Sequence, residues 1–165
     1  MNRIKVINEP ADLVAILRAV DTDIKREVLK EISIGWRSPK EIDAKFGAEG
    51  KKALQLFDKM KLVETRWQPT DGAPDKTYHT YYSSFHINAS CPIYEISDVL
   101  AATVLPEARY KKLEEKIFKM VGEEGRFAGD IADELKVSQT MLKSLIKRSS
   151  RLDYRGHRVE RLKEE

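Results

Sequence analysis

Residues 38–68 read SPKEIDAKFGAEGKKALQLFDKMKLVETRWQ. Ser38 is suited to cap a helix, Pro39 to open it, and Glu41 completes a capping box three residues after the cap. Gly47 closes that helix. A second one follows in EGKKALQLFDKMKLV, with Leu54, Phe57 and Met60 on its inner face. VETRWQPT then alternates like a strand. The order is helix, turn, helix, strand, and the rest of the chain can be read outward from it.

Upstream, ADLVAILRAV (11–20) places Leu13, Ile16, Leu17 and Val20 at helical spacing. Asp21 or Thr22 can cap the next helix, which turns Ile24, Val28, Leu29 and Ile32 to one face and stops at Gly35. Downstream, DGAPDK is a turn cluster and TYHTYYSSFHI a returning strand, so the first half closes with a β-hairpin. The stretch from Thr77 to Cys91 holds two of the three histidines, three of the six tyrosines and the lone cysteine. His79 and His86 have opposite strand parity, and neither pairs with Cys91 at a zinc spacing. No metal site and no cofactor are expected. The tyrosines are expected to serve the strand, with single-strand base stacking as their alternative use.

PIYEISDVLAATVL (92–105) is an apolar helix ended by Pro106, apolar enough to bridge two halves or to pair with a second copy. After it the grammar repeats. EARYKKLEEKIFKMVGEEG and RFAGDIADELKV are helices, and SQTMLKSLIKRSS is a helix capped by Ser138. RLDYRGHRVERL is a hairpin turning at Arg155–His157. The expected fold is mainly α with small β-hairpin wings (α+β). It consists of two winged helix-turn-helix domains joined by an apolar helix: 1–91, a connecting or dimerising helix at 92–106, and 107–165.

This pattern resembles the ArsR-like regulators. VAILRAVDTDIKREVLKEI, SPKEIDAKFG and ALQLFDKMKLVETRW follow their order of paired helices, helix-turn-helix and wing strand. YHTYYSSFHINASCPIYEISDVL and LKSLIKRSSRLDYRGHRVE are similar to a group of archaeal ArsR-like transcription regulators with a second, C-terminal winged helix. The resemblance implies a regulator that binds double-stranded DNA. The metal-sensing members carry cysteines in the first helix of the helix-turn-helix, and PKEIDAKFG has none.

Charge suggests where such DNA would lie. Residues 1–106 hold 15 Lys/Arg against 15 Asp/Glu, and residues 107–165 hold 15 against 12. Lys143 to Lys163 alone hold eight basic residues and two acidic ones, a footprint for a polyanion. On the helix after Ser138, Gln139 and Thr140 suit base edges, while Lys143, Lys147 and Arg148 suit phosphates. The hairpin adds Arg155, His157 and Arg158. The equivalent helix of the first half offers Lys51, Lys52 and Gln55, and its wing offers Arg66. Asp71 and Asp75 make that wing tip a poorer phosphate site.

The lone cysteine and the absence of an apolar leader fit a cytoplasmic protein, and no apolar run suggests a membrane span. Phosphate-binding glycine motifs are missing, and the acids of EEKIF and IADEL read as solvated helix faces, so catalysis is not expected. The expected partners are DNA and a second copy paired through helix 93–105. The alternative is a winged-helix scaffold that binds basal transcription factors and touches DNA weakly.

Overall fold

The computed structural model describes residues 2–163, which divide into two compact units. One takes the chain up to residue 6 and residues 19–87. The other takes residues 7–18 and the chain from 88 onward. In this division most of the first helix and all of the fourth fall in the second unit.

In the first unit, α2 (Asp23–Ile34) is capped by Thr22, whose hydroxyl accepts from the Lys25 N–H. It buries Val28 and Ile32. The run Pro39–Lys59 (α3) opens with the capping box: the Glu41 N–H donates to Ser38 Oγ at 3.2 Å, and the Ser38 N–H to the Glu41 carboxylate at 2.7 Å. Gly47, at φ 72° and ψ −163°, breaks the run into two segments. A side chain at Gly50 would put its Cβ 2.6 Å from that of Phe46, so glycine there lets the two segments meet closely. Ile42 from one segment and Ala53, Leu54 and Phe57 from the other enter a common core with Val28, Ile32 and Leu62.

The wing follows. β2 (Val63–Gln68) pairs antiparallel with β3 (Asp75–Thr80), from Val63↔Thr80 to Gln68↔Asp75. Arg37, between α2 and α3, exchanges two backbone hydrogen bonds with Tyr78 and ties the wing to the helices. The returning strand is not one strand. It ends at Thr80, and a second piece, β4 (Ser84–Ile87), pairs with an N-terminal strand, β1 (Ile4–Ile7), that helical periodicity did not suggest.

The second unit contains α1 (Asp12–Ala19) as far as Arg18, α4 (Ile93–Val104), α5 (Glu107–Val121), α6 (Ala128–Leu135) and α7 (Gln139–Arg148). The hairpin of β6 (Leu152–Arg155) and β7 (Arg158–Arg161) is joined by a short strand, β5 (Arg126–Phe127), in the order β5-β7-β6. Helix, strand, helix, helix and hairpin follow one another in winged-helix order. Tyr110, Ile117 and Val121 of α5, Ile131 of α6, Leu142, Leu145 and Ile146 of α7, and Leu152 and Val159 of the hairpin form the core. Val99 and Ala102 of α4 are fully buried, and α4 packs along α7. The other side of α4 keeps Ile93, Tyr94, Leu100 and Val104 exposed, from 49% to 84%. Spaced at 93, 100 and 104, with Tyr94 beside them, they form one stripe. The molecule is thus an α+β winged-helix protein. No helix among the described residues is long and apolar enough to cross a membrane.

Candidate nucleic-acid interface

The second segment of α3 presents a polar face that nothing in its own unit covers. Lys51, Lys52 and Gln55 are exposed. Its apolar face anchors it through Leu54 and Phe57, so the register of the exposed face is fixed by the core. Lys52 meets Glu49 at 3.2 Å, an ion pair with both side chains about two-thirds in water and hence weak. Lys51 has no acidic partner among the described residues.

The wing has open cations too. The Arg66 guanidinium lies 4.1 Å from the centre of the Trp36 ring, held by stacking that leaves its N–H groups able to donate. Its strand is fixed from below by the buried Thr77, whose hydroxyl donates to the Arg66 carbonyl at 3.0 Å. Next along, Trp67 is 68% exposed and stands in register with Lys76. The exposure of Trp67 has no signal in the sequence, because strand alternation does not tell a solvent face from an unmatched one. The acidic wing tip is partly offset, since Lys40 Nζ approaches Asp75 at 3.7 Å.

The second unit treats its basic stripe differently. Gln139 is exposed and Thr140 half-buried at the start of α7. Lys143 is bound by Glu9, whose carboxyl is held below its usual range chiefly by that hydrogen bond. Lys147 meets Asp12 at 3.1 Å. Arg148, expected on the phosphates, is instead buried, because α4 covers that side of α7. Its guanidinium donates to the carbonyls of Ala102 and Leu105 at 3.1 and 2.7 Å and to Glu107 at 2.9 Å, and it lies 4.2 Å from the centre of the Tyr110 ring. It thereby satisfies carbonyls at the end of α4 that have no helical partner. Ser144, one turn before Arg148 on the same side of α7, is fully buried as well.

At the hairpin, Arg155 meets Asp153 at 2.9 Å and Glu160 at 3.7 Å. Arg151 pairs with Glu115, and Arg161 with Glu123. Six of the eight basic residues from Lys143 to Lys163 are thus ion-paired. Most of the acids come from outside the stripe: Glu9, Asp12, Glu107, Glu115 and Glu123. His157 and Arg158 stay exposed at the tip, Arg158 donating to the Glu124 carbonyl at 3.2 Å.

His79 turns its Nδ1 to the Thr80 carbonyl at 2.8 Å, His86 is exposed on β4, and Cys91 is half-buried ahead of α4. Among the described residues, no three His, Cys, Asp or Glu side chains are grouped to hold a metal ion.

An exposed helix behind a capped turn, with a cationic wing beside it in sequence, has the chemistry to meet a duplex. The comparisons with known proteins agree with that class. A family model described as ArsR transcriptional regulator matches residues 7–163, which is nearly the whole chain. No curated protein matches it. The chain belongs to the ArsR family of transcriptional regulators.

Proposed function

We propose that this protein reads double-stranded DNA by sequence, with the first unit as the principal reader. The observation that carries the reading is the uncovered face of the second α3 segment. Gln55 is suited to a base edge in the major groove, and Lys51 and Lys52 to the flanking phosphates. Arg66 and Lys76 on the wing suit the backbone or the minor groove.

The second unit contributes a smaller contact through Gln139 and Thr140 at the open start of α7 and through Arg155, His157 and Arg158 at its hairpin. Lys143 and Lys147 reach phosphate only by leaving Glu9 and Asp12. The exposed stripe on α4 pairs two copies, which would give the operator two half-sites. The protein works in the cytoplasm.

A second reading has its own observation. The neutralised stripe of the second unit is a poor electrostatic footprint, which suits that unit to docking a protein such as a basal transcription factor, with DNA touched weakly.

Selection of bound sequences from a randomised duplex pool at about 150 mM salt tests the proposal. An enriched motif, lost with Gln55→Ala, supports it. Binding without enrichment that vanishes as salt rises overturns it and favours the scaffold.

A further inference from the structure

The first unit holds a cleft of about 830 Å³ that DNA reading does not use. One wall is α2, with Leu29, Lys30 and Ser33. The opposite wall is the root of the wing, where Glu64 of β2 stands in register with His79 of β3. The rim is the link after β3, from Tyr81 to Phe85.

Three features of this cleft point to a ligand. Its size falls within the range of small-molecule sites, roughly 300–1,000 Å³. Its rim is aromatic: Tyr81 and Phe85 are 40% and 43% exposed, and Tyr81 meets Tyr82 edge to face at 4.9 Å. Such a rim accepts a further flat ring at little ordering cost. Its charged groups are mostly cations. Arg3, Arg26 and Lys30 line it against one acid, Glu64. Arg3 spans both features, 4.3 Å from the centre of the Tyr81 ring and 3.1 Å from Glu64. Lys30 is exposed and has no acidic partner among the described residues. A cleft built this way leaves a cation unanswered beside a set of rings.

We infer that this cleft is an effector site for a small aromatic anion, its ring against Tyr81 and Phe85 and its charge on Lys30 and Arg3. The occupied site bears on the wing. An anion drawing Arg3 away from Glu64 releases the β2 end of the Glu64–His79 pair, and Arg66 and Trp67 lie two and three residues further along the same strand. Ligand and DNA affinities are therefore coupled, and the coupling is reciprocal. This regulatory consequence rests on the DNA-reading proposal, whereas the site itself does not.

The test uses the full chain without DNA, titrated with indole-3-acetate and with its neutral counterpart indole-3-ethanol, followed by calorimetry and by amide shifts in NMR spectra. The expected result is submillimolar binding of the acetate, at least about tenfold weaker binding of the alcohol, and shifts at Lys30 and at Tyr81–Phe85. Lys30→Ala, an exposed position outside the core, should weaken the acetate about fivefold or more and leave the alcohol unchanged. No binding of the acetate at millimolar concentration, or shifts elsewhere, overturns the site. Equal binding of both probes overturns the anion assignment. The selected duplex is then titrated with and without saturating acetate, where a change of about fivefold or more supports coupling and equal affinity overturns it. Loss of the site leaves DNA selection standing, so the two failures are told apart.

Discussion

The second segment of α3 and the helix α7 follow the same kind of turn, precede the same kind of hairpin and carry similar side chains, yet they meet solvent differently. Lys51 and Gln55 are exposed on the first, and Lys52 keeps only a well-solvated pair with Glu49. On the second, Ser144 and Arg148 are under α4, while Lys143 and Lys147 are held by Glu9 and Asp12. A helix-turn-helix motif specifies which face of its second helix joins the core. It does not specify whether another helix takes the opposite face. In the second unit α4 packs along α7, and part of that helix-turn-helix becomes a packing surface.

The largest effect expected from breaking this arrangement is at Arg148. Arg148→Ala removes the donors for two carbonyls at the end of α4 and opens space beside Tyr110. The unfolding free energy should fall by about 2–4 kcal/mol, read from the urea midpoint by circular dichroism. An Arg148 that served phosphate would instead cost little stability and much DNA affinity.

The next effects are on DNA and compare the two helices directly. Gln55→Ala should cost about 1–3 kcal/mol on the preferred duplex and little on a random one. Lys51→Ala should weaken all duplexes alike and lower the slope of log affinity against log salt by about one. Lys147→Ala should do less than Lys51→Ala on both counts. Equal losses for the two lysines would show the second helix to be as much a reader as the first.

The α4 stripe sharpens the comparison, since the helix that covers α7 on one side is bare on the other. Leu100→Asp should turn a dimer into a monomer in light scattering at micromolar concentration. Its cost to folding should be small, because Leu100 is half in water. A dimer that survives this change would place the seam elsewhere.

Much of this architecture was legible in the residues. The Ser38 capping box, the break at Gly47 and the Ser138 cap are short-range signals, set by backbone donors that need a partner within one turn. The core faces of both helix-turn-helix units follow from periodicity, as does that of α2 at Val28, Leu29 and Ile32, while Ile24 in its first turn is exposed. What stayed hidden was decided by pairing at a distance. β1 joins β4 across almost 80 residues, so TYHTYYSSFHI looked like one strand when its second piece had another partner. The basic excess from Lys143 to Lys163 stands in the sequence, but the acids that meet it, Glu9, Asp12 and Glu107 among them, come from elsewhere in the chain. Local counting sees a field where the fold makes pairs. The exposure of Trp67 and the stacking of Arg66 on Trp36 were illegible for the same reason.

The smallest expected effects concern those pairs, and they run in two directions. Lys143 holds the Glu9 carboxyl below its usual range, and Arg151 does the same to Glu115. A carboxyl lowered in the folded state adds stability above its unfolded pKa of about 4.3 and loses it as pH falls through the lower folded value. Melting temperature should therefore be level near neutrality and decline below the usual carboxylate range. Glu9→Gln should shallow that decline by a small amount, since the pair is largely solvated and exposed pairs contribute little. The same substitution frees Lys143 at neutral pH. Combined with Asp12→Asn, which frees Lys147, it should raise affinity for random duplexes and steepen the salt slope by up to about two. A gain in random binding without any change in the selected motif is what a covered second helix requires. If the motif changed as well, α7 would be reading bases through its open end, and the contrast between the two units would be one of degree.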